Sequence, residues 1–482
     1  MTRLSPRPRW TFPGTVLLGT LVLGAGPLAA QSPFGAVDPA PGSQISFSAV
    51  ERNRPIHAGA EVAVAGQGFR PGQQVTLLYG TTPLLDRALV ADGEGRIAGR
   101  IAVPARAAAG SHPIVVVAQE PYNATVATLK VSPVIPLSGQ ERFQIGEKQI
   151  ARGLYQSAYS ARNNALFVTS AVGRPPVRQS ELVRVDPDTL AVVARITPAA
   201  APAPAPRPGA PANGQGGGAA ADGGVYAVYG VGVDDANDTV WVTNSRQNTV
   251  AVYRQSDLSL VRQFEPGTVN HARDVVVDQA LGKAYSSATF QPEVVVFDTR
   301  KPEVARRVKI PSRVRGGSFS AASLSLNAAA HRLYVVSNST NEVAVIDTRT
   351  DEVEKVLPVP GTRSAIGVSH DPQTSRIFVA AQGSDNLVVL DENGKTVADT
   401  PVGANALNVV FDPVRRLAYV SSRVAGTITV TDADGRIVAN LGPAPLANHV
   451  ALGRNGTVFA VDKSAGARNE EGDRLLRIQP RS

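Results

Sequence analysis

The sequence predicts an all-β chain, a small N-terminal β-sandwich followed by a seven-bladed β-propeller. Three observations predict it. Glycine and proline are abundant, 44 and 36 of 482 residues, among many Val and Thr, which reads as short strands joined by tight turns. An aromatic residue opens a short apolar run seven times, at Phe167, Trp241, Tyr285, Tyr334, Phe378, Tyr419 and Phe459. From Trp241 onward these runs recur at spacings of 44, 49, 44, 41 and 40 residues, the length of one four-stranded blade.

The first thirty residues read as a secretory signal. Arg3, Arg7 and Arg9 form a basic start, Val16 to Ala25 is uncharged and mostly apolar, and Leu28-Ala29-Ala30 offers small residues for cleavage before Gln31. The competing reading is a membrane anchor, but a spanning helix needs about 20 apolar residues and this run is roughly half that. The expected location is therefore periplasmic or secreted, with no membrane span once the signal is removed. The formal net charge is +8, and +5 without the first thirty residues, which hold three arginines and no acid. Such a surface favours anionic partners mildly. The absence of cysteine excludes disulfides, thiolate metal sites and a cysteine nucleophile.

Residues 43–133 read as a unit of their own, with runs at 45–50, 61–65, 74–79, 96–103, 113–118 and 126–131. The turn Gly66-Gln67-Gly68-Phe69-Arg70-Pro71-Gly72 supplies positive-φ positions and a proline-set corner. Asp92-Gly93-Glu94-Gly95 marks a second turn. Six or seven short strands in so few residues fit a β-sandwich, and these turns resemble those of bacterial immunoglobulin-like modules.

Residues 142–480 carry the repeat. Each unit has a strand of small and branched residues, a turn, the aromatic strand, a second turn, an apolar strand ending in aspartate, and a departing strand. Val343-Ala344-Val345-Ile346-Asp347 shows the aspartate-ended strand, and Asp186, Asp298, Asp391 and Asp432 recur at the same place. A carboxylate just before a turn accepts backbone N–H bonds, so these are read as structural. The interval from Phe167 to Trp241 is 74 residues. Its excess is the Ala/Pro/Gly-rich segment 198–224, read as a loop inserted between blades. The last repeat supplies only three strands, so the strand around Arg142-Phe143-Gln144-Ile145 is expected to complete it and close the ring.

Trp241-Val242-Thr243-Asn244, Tyr334-Val335-Val336-Ser337-Asn338 and Tyr419-Val420-Ser421-Ser422 resemble the YVTN repeat of bacterial and archaeal propellers. The segment Gly153-Leu154-Tyr155-Gln156-Ser157-Ala158-Tyr159-Ser160, with Val183-Arg184-Val185-Asp186, resembles the first blade of periplasmic YncE-like propellers. The resemblance covers about residues 143–480. It implies a periplasmic or secreted seven-bladed propeller that acts by binding, without an assigned catalytic centre. The front domain and the 198–224 insertion depart from that pattern.

No Gly-x-Ser-x-Gly elbow, Walker loop or dinucleotide fingerprint is present, and none of the six histidines has a partner at ligand spacing. No cofactor and no metal are expected. In a propeller the innermost strands line a central channel, and concave mouths take ligands. The segments leading into those strands are polar here. They carry Tyr155, Tyr229, His271 and Arg273 in the first three repeats. Arg363, Asn405, Asn408 and His449 follow in the later ones. A wet channel mouth is polar even without a ligand, but amides, arginines and histidines together suit an anionic or hydrogen-bonding ligand. Three functions follow as expectations. The first is an exported, non-enzymatic binding or scaffold protein for a protein, cell-envelope or anionic ligand. The second is binding of single-stranded nucleic acid or a nucleotide, and the third a lactonase-like hydrolase using scattered loop residues.

Overall fold

The computed structural model describes residues 36–38, 42–203, 222–463 and 472–481. The signal-like segment 1–30 and the centre of the 198–224 insertion lie outside the described residues.

The N-terminal unit packs two antiparallel sheets. One joins Gln44–Ala49, Glu61–Gln67 and Ile97–Ala102. The other is built on Gln74–Tyr79, Gly110–Ala118 and Asn123–Val131, with the short Thr82–Pro83 and Leu89–Val90 at its edge. Alternation drives this arrangement. Val62, Val64, Val75, Leu77, Ile114 and Val116 point inward at period two and are buried together, while their neighbours face solvent. The two edge strands escape sequence reading because two residues carry no periodicity.

The remainder is a β-propeller, and among its described residues the strands form seven four-stranded antiparallel sheets. In the first six, the strands follow one another outward from the axis in chain order. The third sheet, for example, runs Ala272–Asp278, Lys283–Ala288, Glu293–Asp298 and Glu303–Lys309. The innermost strands contact in succession, and His449–Leu452 of the last meets Leu154–Ser160 of the first. The last sheet is completed by Phe143–Gln149, which pairs with Arg474–Pro480 from Phe143↔Pro480 to Gln149↔Arg474. That pairing joins the two ends of the propeller within one sheet.

The repeated aromatics explain how the sheets adhere. Each lies in the second strand and packs against the next sheet. Trp241 sits 5.4 Å from Phe297, and Phe378 stacks on Phe411 at 4.7 Å. Trp241, Tyr285, Phe378, Tyr419 and Phe459 are almost wholly buried, and each such side chain contributes about 1.5–3 kcal/mol of transfer free energy. The aspartates that end third strands hold their turns: Asp391 accepts the backbone N–H of Asn393 and Lys395, both at 2.9 Å. Between the sheets, Arg416 donates to both oxygens of Asp371 at 2.5 Å.

The sandwich is fixed to the propeller at two places. Lys130 Nζ lies 2.7 Å from Asp385 Oδ1 and donates to Gln382 O at 3.0 Å. The connecting segment is strapped to the sixth sheet, where Asn440 Nδ2 donates to Ile135 O at 2.9 Å and the Ser138 and Asn440 backbones exchange hydrogen bonds. Among the described residues no helix is long and apolar enough to cross a membrane.

Candidate functional site

In every sheet the residue before the innermost strand and the turn after the second strand lie at one end of the propeller, as the pairing Ala272↔Ala288 shows. At that end the channel opens as a cavity of about 100 Å³. Tyr155, Tyr229, His271, Arg273, Asn408 and His449 line it, so six of the eight residues expected from sequence come together. Arg363 and Asn405 do not line it. Arg363 is exposed on the fifth sheet, where its N–H bonds to Ser384 Oγ. Asn405 turns toward the sandwich, its N–H held by Asp385 Oδ1 at 2.7 Å. The fourth and fifth sheets contribute nothing to the lining, so the cavity is one-sided rather than a symmetric ring.

Other lining residues come from the turns after second strands: Ser245 and Arg246 after Thr239–Asn244, and Arg423 after Leu417–Ser422. Lys463 follows Val458–Val461 in the same way, and its Nζ lies 4.0 Å above the Tyr155 ring. Sequence reasoning followed only the segments leading into the first strands and missed these. The signal was present as a basic residue one or two places after the second strand in the second, sixth and last repeats.

A ring contact and several hydrogen bonds tie the wall together. Tyr155 meets Tyr229 edge to face at 4.6 Å. Asn448 Nδ2 donates to Tyr155 O at 2.7 Å, Val450 N donates to Asn408 Oδ1 at 3.0 Å, and Ser245 Oγ donates to Ala272 O. Deeper in, Gln156 Nε2 donates to Asp274 Oδ1 at 2.6 Å, while Asp274 Oδ2 accepts Leu324 N at 3.2 Å. A single acid thereby ties the first, third and fourth sheets across the channel. Gly230 allows the second sheet to approach the third, because a Cβ there would collide with the Arg273 carbonyl.

The mouth is cationic. None of Arg246, Arg273, Arg423 or Lys463 is ion-paired with a described carboxylate, whereas Arg376, Arg416 and Arg474 each pair with an aspartate. Arg273 Nε is buried and finds no partner among the described residues. Burial, followed by the Arg423 cation, lowers the Lys463 amine to about 8. Burial, with the Arg246 and Arg273 cations behind it, pulls His271 below its ordinary value. Burial takes His449 to about 4. Its Nδ1 faces the Ser157 N–H at 3.4 Å, which leaves Nε2–H as the donor of the neutral ring. The Tyr229 phenol is raised by burial and partly restored by Arg246 beside it. Among the described residues no group of three His, Asp or Glu is placed to hold a metal ion.

No family model matches the chain. It is 23% identical over 278 residues to the uncharacterized protein YncE of Escherichia coli K12, covering 55% of this chain and 69% of that one. It is 24% identical over 264 residues to YncE of Salmonella typhi, covering 52% and 65%. Among solved structures it resembles a chain of Kuenenia stuttgartiensis hydrazine synthase at TM-score 0.54 and 13% identity, over 70% of this chain and 97% of that one. It also resembles streptogramin B lyase at TM-score 0.52 and 10% identity, over 71% and 100%, and the propeller domain of Myceliophteria thermophila Cps50 (Swd1) at TM-score 0.51 and 11% identity, over 70% and 100%. At such identities the solved structures carry the fold alone. The chain thus contains a β-propeller similar to that of YncE.

Proposed function

We propose that this chain is an exported, non-enzymatic binding protein: a seven-bladed propeller that takes an anionic ligand at its channel mouth, behind an immunoglobulin-like front domain. The observation that carries this reading is the cluster of Arg246, Arg273, Arg423 and Lys463 around one cavity, none ion-paired with a carboxylate among the described residues. Gathering like charges in a partly desolvated cleft is unfavourable unless a counter-charge is supplied. Arginines present paired N–H donors that match carboxylate or phosphate oxygens. The remaining lining, Asn408, Asn448, Ser245 and the two neutral histidines, offers further hydrogen bonds to an oxyanion.

The test is calorimetric titration of the full chain with pyrophosphate at low and high salt. Arg246→Ala with Arg273→Ala is expected to weaken binding at least tenfold, corresponding to about 1.4 kcal/mol, and to leave the melting temperature unchanged. Binding that is unaltered in this double variant would overturn the reading.

A second reading, chemistry at the same mouth, draws on two observations. Lys463 holds its amine at about 8, within range of a general base, and a lyase is among the proteins of similar fold. Turnover of a lactone or ester that disappears in Lys463→Met would favour it over binding alone.

A further inference from the structure

The sandwich does not stand clear of the mouth. A cleft of about 430 Å³ lies between the two units, lined by Arg52, Arg54, Ser132 and Lys130 on one side and by Ala404, Asn405 and Val424 on the other. The propeller wall of this cleft and the wall of the mouth are the two sides of the same backbone. Asn405 faces the cleft and Leu407 and Asn408 the mouth; Val424 faces the cleft and Arg423 the mouth.

This wall is held in place from the sandwich. The Asp385 carboxylate, 1% exposed, receives Lys130 Nζ from the sandwich and Asn405 N from the wall, each at 2.7 Å. With the strap from Ile135 to Ser138 on Asn440, the sandwich is a fixed part of the face that carries the mouth. Clefts between rigid units are preferred ligand sites.

The geometry points to a second binding compartment in this cleft, separated from the mouth only by the 404–408 wall, so that the ligand is a linear oligoanion spanning both rather than a single small anion. One anionic group sits among Arg246, Arg273 and Arg423, and following groups run past the 404–408 wall toward Arg52 and Arg54. Arg54 keeps Glu51 at 3.5 Å in a highly exposed pair, worth little and readily exchanged for a ligand oxyanion. Arg52 has no ion-pair partner among the described residues. Ser132, Asn53 and Thr128 add hydrogen-bonding groups along the path.

This inference rests on the anionic reading of the mouth, and its test separates the two. The full chain is titrated with pyrophosphate, tripolyphosphate and longer polyphosphate, and in parallel with oligoglutamates of matching charge. Each is repeated with Arg52→Ala/Arg54→Ala and with Arg246→Ala/Arg273→Ala. The expected result is affinity rising with chain length by roughly tenfold or more, as linked sites require, for one or both anion types. The cleft variant is expected to abolish that gain and leave pyrophosphate affinity unchanged, and the mouth variant to weaken every probe. A gain that is absent, or that survives in the cleft variant while the mouth variant still weakens pyrophosphate, overturns the second compartment alone. Failure of the wild-type chain to bind any probe overturns the mouth reading and the compartment with it.

Discussion

Replacing Phe143 by alanine probes the closure of the ring through one side chain. Phe143 is 5% exposed. It opens the strand that completes the last sheet and lies edge to face with Tyr419 of the preceding sheet at 6.3 Å. Its neighbours include Ile428, Leu476 and Ile478. Removing a ring so enclosed loses its transfer free energy and leaves a cavity that this closed cluster can refill only in part. The cost is about 3–5 kcal/mol, within which the edge-to-face contact accounts for about 0.5–1.5 kcal/mol. For a unit of this size that lowers the melting temperature by about 4–7 °C. The assay is thermal and urea unfolding followed by circular dichroism. Ile145→Ala serves as the control, since Ile145 lies on the same strand at 37% exposure and its loss costs under about 1 kcal/mol. If Phe143→Ala shifts the transition no more than Ile145→Ala does, the N-terminal strand is not what seals the propeller.

Two further predictions concern charge. Arg416→Met leaves the wholly buried Asp371 carboxylate without its cation and is expected to cost about 3–5 kcal/mol at neutral pH, read as a lower urea midpoint. Burial raises the Asp371 carboxyl, but the Arg416, Thr374 and Gln373 hydrogen bonds outweigh it and hold it below its ordinary value. The pair therefore stabilises the fold above the ordinary carboxylate pKa of about 4, and that stability is lost as pH falls below it. A gap between wild type and variant that fails to narrow on acidification would count against the pair. At the mouth, Lys463 has a lowered value of about 8. Its positive charge is present below that value and lost above it, so affinity for pyrophosphate should fall as pH rises through 8, and Lys463→Met should remove that decline. A profile unchanged by the substitution would show that Lys463 does not face the ligand.

Repetition made the fold readable from sequence. A unit of forty-odd residues cannot bury both faces of a four-stranded sheet by itself, so aromatic and branched residues at a fixed period announce stacked sheets before any coordinates are known. The closing strand near Phe143 was legible because the last repeat counts one strand short. The two-residue strands at Thr82–Pro83 and Leu89–Val90 were not, because pairing, not pattern, defines them. The site was legible only in part. The polar segments leading into the first strands named Tyr155, Tyr229, His271, Arg273, Asn408 and His449 in advance. Arg246, Arg423 and Lys463 lay in the other set of turns, whose arrival at the same end depends on antiparallel pairing within each sheet.

By itself, then, the sequence determined the all-β class, the sheet-by-sheet repeat and the polarity of one set of loops, because these follow from local period and composition. Which loops meet was decided only by the tertiary structure. Closure brings the first three sheets beside the last two, excludes Arg363, turns Asn405 toward the sandwich, and lets Lys130 reach Asp385 across 255 positions of chain. Residues that far apart in sequence are joined by packing around an axis, and no local pattern in the chain records that distance.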